Sequence, residues 1–169
     1  PNTRMEDSAD LTLSGTDWMP NNVDYSYRGV VTVRQAMMLS LNTVAATVVD
    51  MLTPQVSYEF VTEKAGLTTL VPEDADYAAM ALGQLTYGAT VRDMASAYTM
   101  FVNKGIRSTG RTFTHIYDSD WNLVYENKTE QVAAISEKTA YWMTDMMQTN
   151  VDYEVEPDIY GMPTAGKTG

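Results

Sequence analysis

The chain has no cysteine, so no disulfide and no thiolate metal site can form. One histidine, His115, stands alone, which leaves the commonest neutral metal ligand and general base in a single copy. No uninterrupted apolar run approaches the 18 or so residues that would cross a bilayer, and none reads as a signal sequence. Basic residues are few: 11 Lys and Arg against 22 Asp and Glu, a net charge of −11. That balance opposes nucleic acid and anionic membrane surfaces by plain repulsion. Lys104, Arg107 and Arg111 are spread over a turn and read as no patch.

What is present is a globular composition. Hydrophobic residues make up 44% of 169 positions, enough for one domain with a core. Residues 1–31 are rich in Asp, Asn, Gly and Pro and read as an irregular arm, with one short strand expected at Asp10 to Leu13. Thr32 and Gln35 have the spacing of a capping box, which opens a helix through Val33, Ala36, Met37 and Leu39. A second helix is expected from Asn42 to Leu52, with Leu41, Ala45, Val48 and Leu52 on an apolar face that Val44 and Val49 widen, so that it is buried on most sides. Thr53-Pro54 should begin a third, ended by Gly66. Residues 67–89 read as looser chain.

Thr90, with Asp93 three positions on, should cap an amphipathic helix that buries Val91, Met94, Tyr98 and Phe101. Phe113 to Tyr117 and Trp121 to Tyr125 flank Asp118-Ser119-Asp120 as a β-hairpin. Ser136 should cap a last helix through Ala140, Met143, Met147 and Val151. Residues 152–162 read as an acidic loop, and Pro163 to Gly169 as the start of a strand. Asp152, Glu154, Glu156 and Asp158 alternate, but lack the spacing and central glycine of an EF-hand, so a solvated loop is the better reading than a calcium site. Met94, Met100, Met143, Met146 and Met147 read as core filler.

Two short motifs carry chemistry. Ser40-Leu41-Asn42 sets a hydroxyl and a carboxamide between two apolar helical runs. In a buried setting each needs a partner or a job. Taken alone the triplet reads as a pair of helix caps. Lys167-Thr168-Gly169 closes the chain and alone reads as a solvent-facing strand end.

The order of these motifs and the text between them resembles a known family. Tyr27 to Arg34 leads into Ser40-Leu41-Asn42, Ala81-Leu82-Gly83 precedes Gly88 to Tyr98, and Thr139 to Met147 precedes Lys167-Thr168-Gly169. Together they resemble the transpeptidase domain of penicillin-binding proteins, nearest the bifunctional class A type, whose motifs are Ser-x-x-Lys, Ser-x-Asn and Lys-Thr-Gly. No serine here has a lysine three residues on. The resemblance therefore implies that 1–169 is a partial transpeptidase domain, truncated at both ends, with the nucleophilic serine upstream.

The resemblance implies an α+β, β-lactamase-like fold, here mostly its helical part with a small hairpin and the start of the Lys-Thr-Gly strand. It implies a serine D,D-transpeptidase that cross-links peptidoglycan stem peptides and is trapped by β-lactams, with no metal or organic cofactor. Ser40 would relay protons to the leaving nitrogen and Asn42 would hold the substrate amide and the catalytic lysine. Lys167 would supply positive charge for the substrate carboxylate and tune Ser40. Thr168 would bind that carboxylate, and Gly169 would let a substrate strand lie close. The parent would carry a glycosyltransferase domain and a membrane anchor, and work on the outer face of the cytoplasmic membrane. This segment alone should be inactive, without direct membrane contact, and open to self-association through uncovered apolar surface. Two other classes share parts of the pattern: a serine β-lactamase, and a non-catalytic sensor or substrate-binding module. The long interval from Ser40 to Lys167 and the Thr139 to Met147 match favour the transpeptidase.

Overall fold

The computed structural model describes residues 1–154 and 161–168. Strand β1 (Arg4–Asp7) pairs antiparallel with β2 (Gly29–Thr32), Arg4 opposite Thr32. The expected strand at Asp10 to Leu13 is not there: Leu13 is buried but only bridges Thr16. The strand lies earlier because its partner is the run leading into the first helix, a pairing no local pattern announces.

Helix α1 (Val33–Met38) starts as read. Gln35 N–H donates to Thr32 Oγ1 at 3.2 Å and Thr32 N–H to Gln35 Oε1 at 2.9 Å, a closed capping box. Two further first-turn amides, on Val33 and Arg34, donate to the carbonyls of Thr3 and Pro1. The chain before β2 therefore also serves as the cap of α1.

Helix α2 (Asn42–Leu52) follows after a three-residue break. It buries Thr43, Val44, Ala46 and Val49, while Leu52 is 53% exposed and Met51 more so. The expected face holds at Leu41, Val44 and Val49 and fails at Leu52; two cores claim this helix. One holds Val31, Ala36, Leu41 and Val44; the other holds Leu13, Ala46, Val49 and Tyr77.

Helix α3 (Pro54–Glu59) has Thr53 as cap, its hydroxyl accepting from Val56 N–H. It widens into a π turn over Phe60–Lys64, closed by Ala65 N–H to Phe60 C=O at 2.9 Å. The stretch 67–89 is more ordered than expected. A 3₁₀ turn (Pro72–Asp74) precedes helix α4 (Tyr77–Leu82), capped by the Asp76 carboxylate on Ala78 N–H. Three alanines and a leucine within six residues make a helix too short to show a period.

Helix α5 (Val91–Val102) is capped by Thr90 as read, its hydroxyl accepting from Asp93 N–H at 3.0 Å. Its buried face is Asp93, Ser96, Ala97 and Met100, and Val91 is 86% exposed. The expected face is overturned for Val91, Met94 and Tyr98, which point outward. Polar partners decide the rotation. The Asp93 carboxylate accepts from Thr68 N–H (3.1 Å) and Thr68 O–H (2.7 Å), and Ser96 O–H donates to the Arg92 carbonyl while accepting from Gly110 N–H. Satisfied in this way, polar side chains can take the inward face. Met100, Met146 and Met147 are buried as core filler; Met94 is not.

Strand β3 (Ile106–Ser108) pairs with β6 (Gln131–Ala133), an unforeseen ladder that brackets the expected hairpin of β4 (His115–Tyr117) and β5 (Leu123–Glu126). His115 sits on an exposed hairpin strand, as the sequence suggests. Ser136 accepts from Thr139 N–H and opens helix α6 (Glu137–Glu154), which takes in Asp152 and so shortens the expected acidic loop. Glu156 and Asp158 lie outside the described residues, as does Gly169. Residues 162–168 are chain without a ladder partner among the described residues, so no strand is assigned there.

Candidate functional site

Ser40 occupies the break between α1 and α2. Its φ is +54°, in the left-handed region that a non-glycine residue enters at a cost of about 1–2 kcal/mol. The turn is held by Leu39 N–H to Gln35 C=O, Ser40 N–H to Met37 C=O and Leu41 N–H to Ala36 C=O. Leu41 goes inward to the core, which throws the Ser40 side chain outward. The serine is exposed rather than buried, and it is no helix cap. Among the described residues its hydroxyl has no hydrogen-bond partner.

Asn42 opens α2 at a position where backbone N–H groups lack helical partners. Its N–H donates to Asn22 Oδ1 at 2.9 Å and its Nδ2 donates to the Asn21 carbonyl at 2.7 Å. Among the described residues its second side-chain N–H and its Oδ1 have no hydrogen-bond partner. The Asn21-Asn22 pair, read as irregular arm, is therefore part of the site's support.

The second motif and the approach to the third meet on α6. Arg34, on α1, donates to the Asp145 carbonyl (3.1 Å), the Thr149 hydroxyl (2.6 Å) and, through its other terminal nitrogen, the Asp145 carboxylate. Farther along the same helix the Met147 carbonyl accepts from Gly166 N–H (3.3 Å), and Asn150 Nδ2 donates to the Gly166 carbonyl (3.1 Å). Asn150 is buried, and its Oδ1 has no hydrogen-bond partner among the described residues. One helix thus grips α1 six residues before Ser40 and holds the residue before Lys167.

Lys167 Nζ lies 2.8 Å from the Thr168 carbonyl and 3.2 Å from its hydroxyl. No hydrogen bond joins Ser40 to Lys167 among the described residues. A surface cavity of about 430 Å³ opens where α6 meets the chain leading to Lys167, lined by Gln148, Asp152, Met162 and Thr164. Elsewhere Arg92, Arg111 and Lys128 line a second cavity of about 370 Å³, so some of the basic residues do converge in space. No cluster of metal-ligating side chains occurs among the described residues.

The sequence offers Ser40, Asn42, Lys167, Thr168 and Gly169 as candidates, of which Gly169 lies outside the described residues. Sequence reasoning missed Asn22, Arg34, Asp145 and Asn150. Arg34, the one charged residue on α1, was the one visible signal for these.

The sequence profile of the penicillin binding protein transpeptidase domain matches residues 1–169, and the chain belongs to that family. Penicillin-binding protein 1A of Clostridium novyi (strain NT) is 34% identical over 170 residues, covering 96% of this chain and 19% of that protein. Penicillin-binding protein 1A of Aquifex aeolicus (strain VF5) is 31% identical over 160 residues, covering 92% and 21%. The chain thus spans about a fifth of the length of these relatives. The D,D-transpeptidase domain of a peptidoglycan glycosyltransferase from Eggerthella lenta superposes with a TM-score of 0.79 at 19% identity, covering 99% of this chain and 48% of that one. Penicillin-binding protein A from M. tuberculosis, as its imipenem acyl-enzyme complex, gives 0.78 at 18%, covering 99% and 43%. At that identity the likeness shows the fold: the α+β, β-lactamase-like transpeptidase fold, here as helices with small sheets.

Proposed function

We propose that this chain carries the second and third catalytic motifs of a D,D-transpeptidase that cross-links peptidoglycan by serine acyl transfer and is inhibited by β-lactams. The nucleophilic serine belongs to a Ser-x-x-Lys motif outside residues 1–169, so 1–169 acts as part of a larger transpeptidase domain. The relatives' names and the acyl-enzyme neighbours support this reading. The observation that carries it is the double grip of α6, which couples the Ser40 turn to the Lys167 segment.

The chemistry follows from the groups. A serine attacks the penultimate D-alanine carbonyl, and the terminal D-alanine amine must leave protonated. Ser40, whose side chain is exposed, would pass a proton between a lysine and that nitrogen. Asn42 presents a carboxamide to the substrate amide and the catalytic lysine. Lys167 and the Thr168 hydroxyl recognise the terminal carboxylate of the stem peptide or of a β-lactam. Gly169 lets the substrate backbone lie close. The acyl group then passes to an amine on a neighbouring stem. No described helix is long and apolar enough to cross a membrane. We place the parent at the extracytoplasmic face of the cell membrane, with an anchor and a glycosyltransferase domain elsewhere in its chain.

The test is labelling of the full-length protein with a fluorescent penicillin. Stable labelling, slowed on the order of a hundredfold or more by Lys167→Ala, is the expected result. No labelling, or a label that turns over rapidly as in a β-lactamase, would overturn it.

A further inference from the structure

Below the Ser40 turn lies a buried polar cluster that the transpeptidase chemistry does not use directly. Asp7, Asn22 and Thr43 are 1%, 2% and 0% exposed. The Asp7 carboxylate accepts from Asn22 Nδ2 (2.7 Å) and Thr43 O–H (2.6 Å) through Oδ1, and from Arg28 N–H (2.8 Å) through Oδ2. Asn22 Nδ2 also donates to the Ser26 carbonyl (2.9 Å), and Asn22 Oδ1 accepts from Asn42 N–H (2.9 Å). Both side-chain N–H groups of Asn22 and its carbonyl are thus in use. The amide cannot rotate by half a turn without setting its Oδ1 against Asp7 and its N–H against Asn42 N–H.

This arrangement is a costly way to cap a helix. A buried carboxylate that forms no ion pair among the described residues is held chiefly by its hydrogen bonds, with the charge of Arg28 acting on it from farther off, and losing one bond leaves a large desolvation cost unmet. A serine or aspartate at position 41 would cap α2 locally. Instead Leu41 goes to the core and supplies no side-chain cap, and the acceptor comes from Asn22, twenty residues away. A remote cap does something a local one cannot. It fixes the first residue of α2 against β1, the strand that holds Asp7, while the Asn42 side chain, anchored by one N–H to the Asn21 carbonyl, keeps its Oδ1 and second N–H for a ligand.

We propose that Asp7 and Asn22 are positioning residues for Asn42: Asp7 locks the Asn22 amide, and Asn22 locks the start of α2, so that Asn42 meets the substrate amide in register. This rests on the assignment of Asn42 as a substrate-facing group in acyl transfer. The effect is transmitted to the reaction through Asn42 alone, which separates it from general stabilisation.

A double-mutant cycle in the full-length protein tests it, read as the rate of acylation by a fluorescent penicillin. Asn22→Leu should slow acylation on the order of ten- to a hundredfold, the size expected for a misplaced contact. In an Asn42→Ala background the same substitution should slow it by no more than about twofold, since the group it positions is gone. Equal slowing in both backgrounds would overturn the proposal, because a merely structural role lowers the folded fraction regardless of Asn42. Thr43→Val, which removes one donor to Asp7 at nearly constant volume, should give the same non-additivity with a smaller loss if Asn22→Leu does not fold. Hydrogen exchange supplies a readout that needs no reaction. The Asn42 amide should exchange faster in Thr43→Val while amides of α5 keep their protection; unchanged exchange at Asn42 would also overturn the proposal. Wild-type protein that takes no penicillin would defeat the transpeptidase reading, and the exchange experiment would still decide whether Asp7 and Asn22 hold Asn42.

Discussion

Arg34 meets Asp145 twice, once at its carboxylate and once at its backbone carbonyl, and reaches Thr149 one turn farther on. The two ends of this contact are 111 residues apart in sequence. Its effect is to set α1 against α6. Both side chains are about two-thirds buried, so the pair is worth more than an exposed one. Arg34→Ala should destabilise the fold by about 1–3 kcal/mol, as measured by urea unfolding. Arg34→Lys should recover little of it, because an ammonium cannot reach a carboxylate, a carbonyl and a hydroxyl in one fork. Full recovery by lysine would show that only charge matters.

Ser40 is held at φ +54°. Glycine enters that region without the clash that a Cβ brings. Ser40→Gly should therefore leave stability unchanged or raise it by about 0.5–1 kcal/mol, while penicillin acylation falls with the loss of the hydroxyl. Ser40→Ala should lose the same activity with no gain in stability. The pair separates backbone strain from chemistry: a stabilised Ser40→Gly that acylates at the wild-type rate would remove Ser40 from the mechanism.

The local parts of this structure were legible in the sequence and the non-local parts were not. The Thr32–Gln35 capping box, the Thr90 cap and the turn at Asp118 each depend on residues within five positions, and each forms. The rotation of α5 depends on Thr68 and Gly110, outside the helix, and apolar periodicity pointed the wrong way. Strand β1 needed its partner β2, and Leu52 lost its expected burial because two cores share α2. The same division holds at the site. Ser40, Asn42, Lys167 and Thr168 stand in motifs, whereas Asp7, Asn22 and Asn150 act through contacts made only by folding.

Several carboxyls are held below their ordinary value of 3.8 by donors. The Thr68 hydroxyl does so for Asp93, the Val71 and Thr86 amides for Asp74, and the Tyr77 hydroxyl for Asp50. Asp24, on the surface, is lowered to about 2 by the hydrogen bond from Arg28. The native state thus binds protons less readily than the unfolded chain at these sites. Their stabilisation is complete above about pH 4 and is lost as pH falls through the lower native values. Urea midpoints measured from pH 6 to pH 2 should decline below pH 4. Asp93→Asn should start lower at pH 6 and decline less steeply, whereas a parallel curve would show that Asp93 does not contribute to the acid response.

Gly105 ends the turn after α5 at φ +92°, and a Cβ there would lie 2.0 Å from the Ile135 carbonyl oxygen. That oxygen belongs to backbone, and the Ala134 and Ile135 amides both donate to the Gly105 carbonyl. Neither chain can move away without breaking the link between α5 and the start of α6. Gly105→Ala should cost about 3 kcal/mol or more, at the severe end for a single methyl, and lower the thermal midpoint accordingly. A loss under about 1 kcal/mol would mean that the segment shifts freely.

Asn150 holds the Gly166 carbonyl with its amide nitrogen, while its own Oδ1 is buried without a hydrogen-bond partner among the described residues. Removing the side chain therefore has two opposed effects. It frees an unsatisfied acceptor from burial, which favours the variant, and it releases the segment that carries Lys167, which costs order at the site. Asn150→Ala should unfold at nearly the wild-type urea concentration, yet be cut faster by protease within residues 161–168 and acylate more slowly. Asn150→Asp replaces the donor with an acceptor facing the Gly166 carbonyl and should both destabilise and disorder the segment. The contrast between the two isolates the hydrogen bond: equal proteolysis of Asn150→Ala and wild type would show that the Met147 carbonyl alone is enough to hold Gly166 in place.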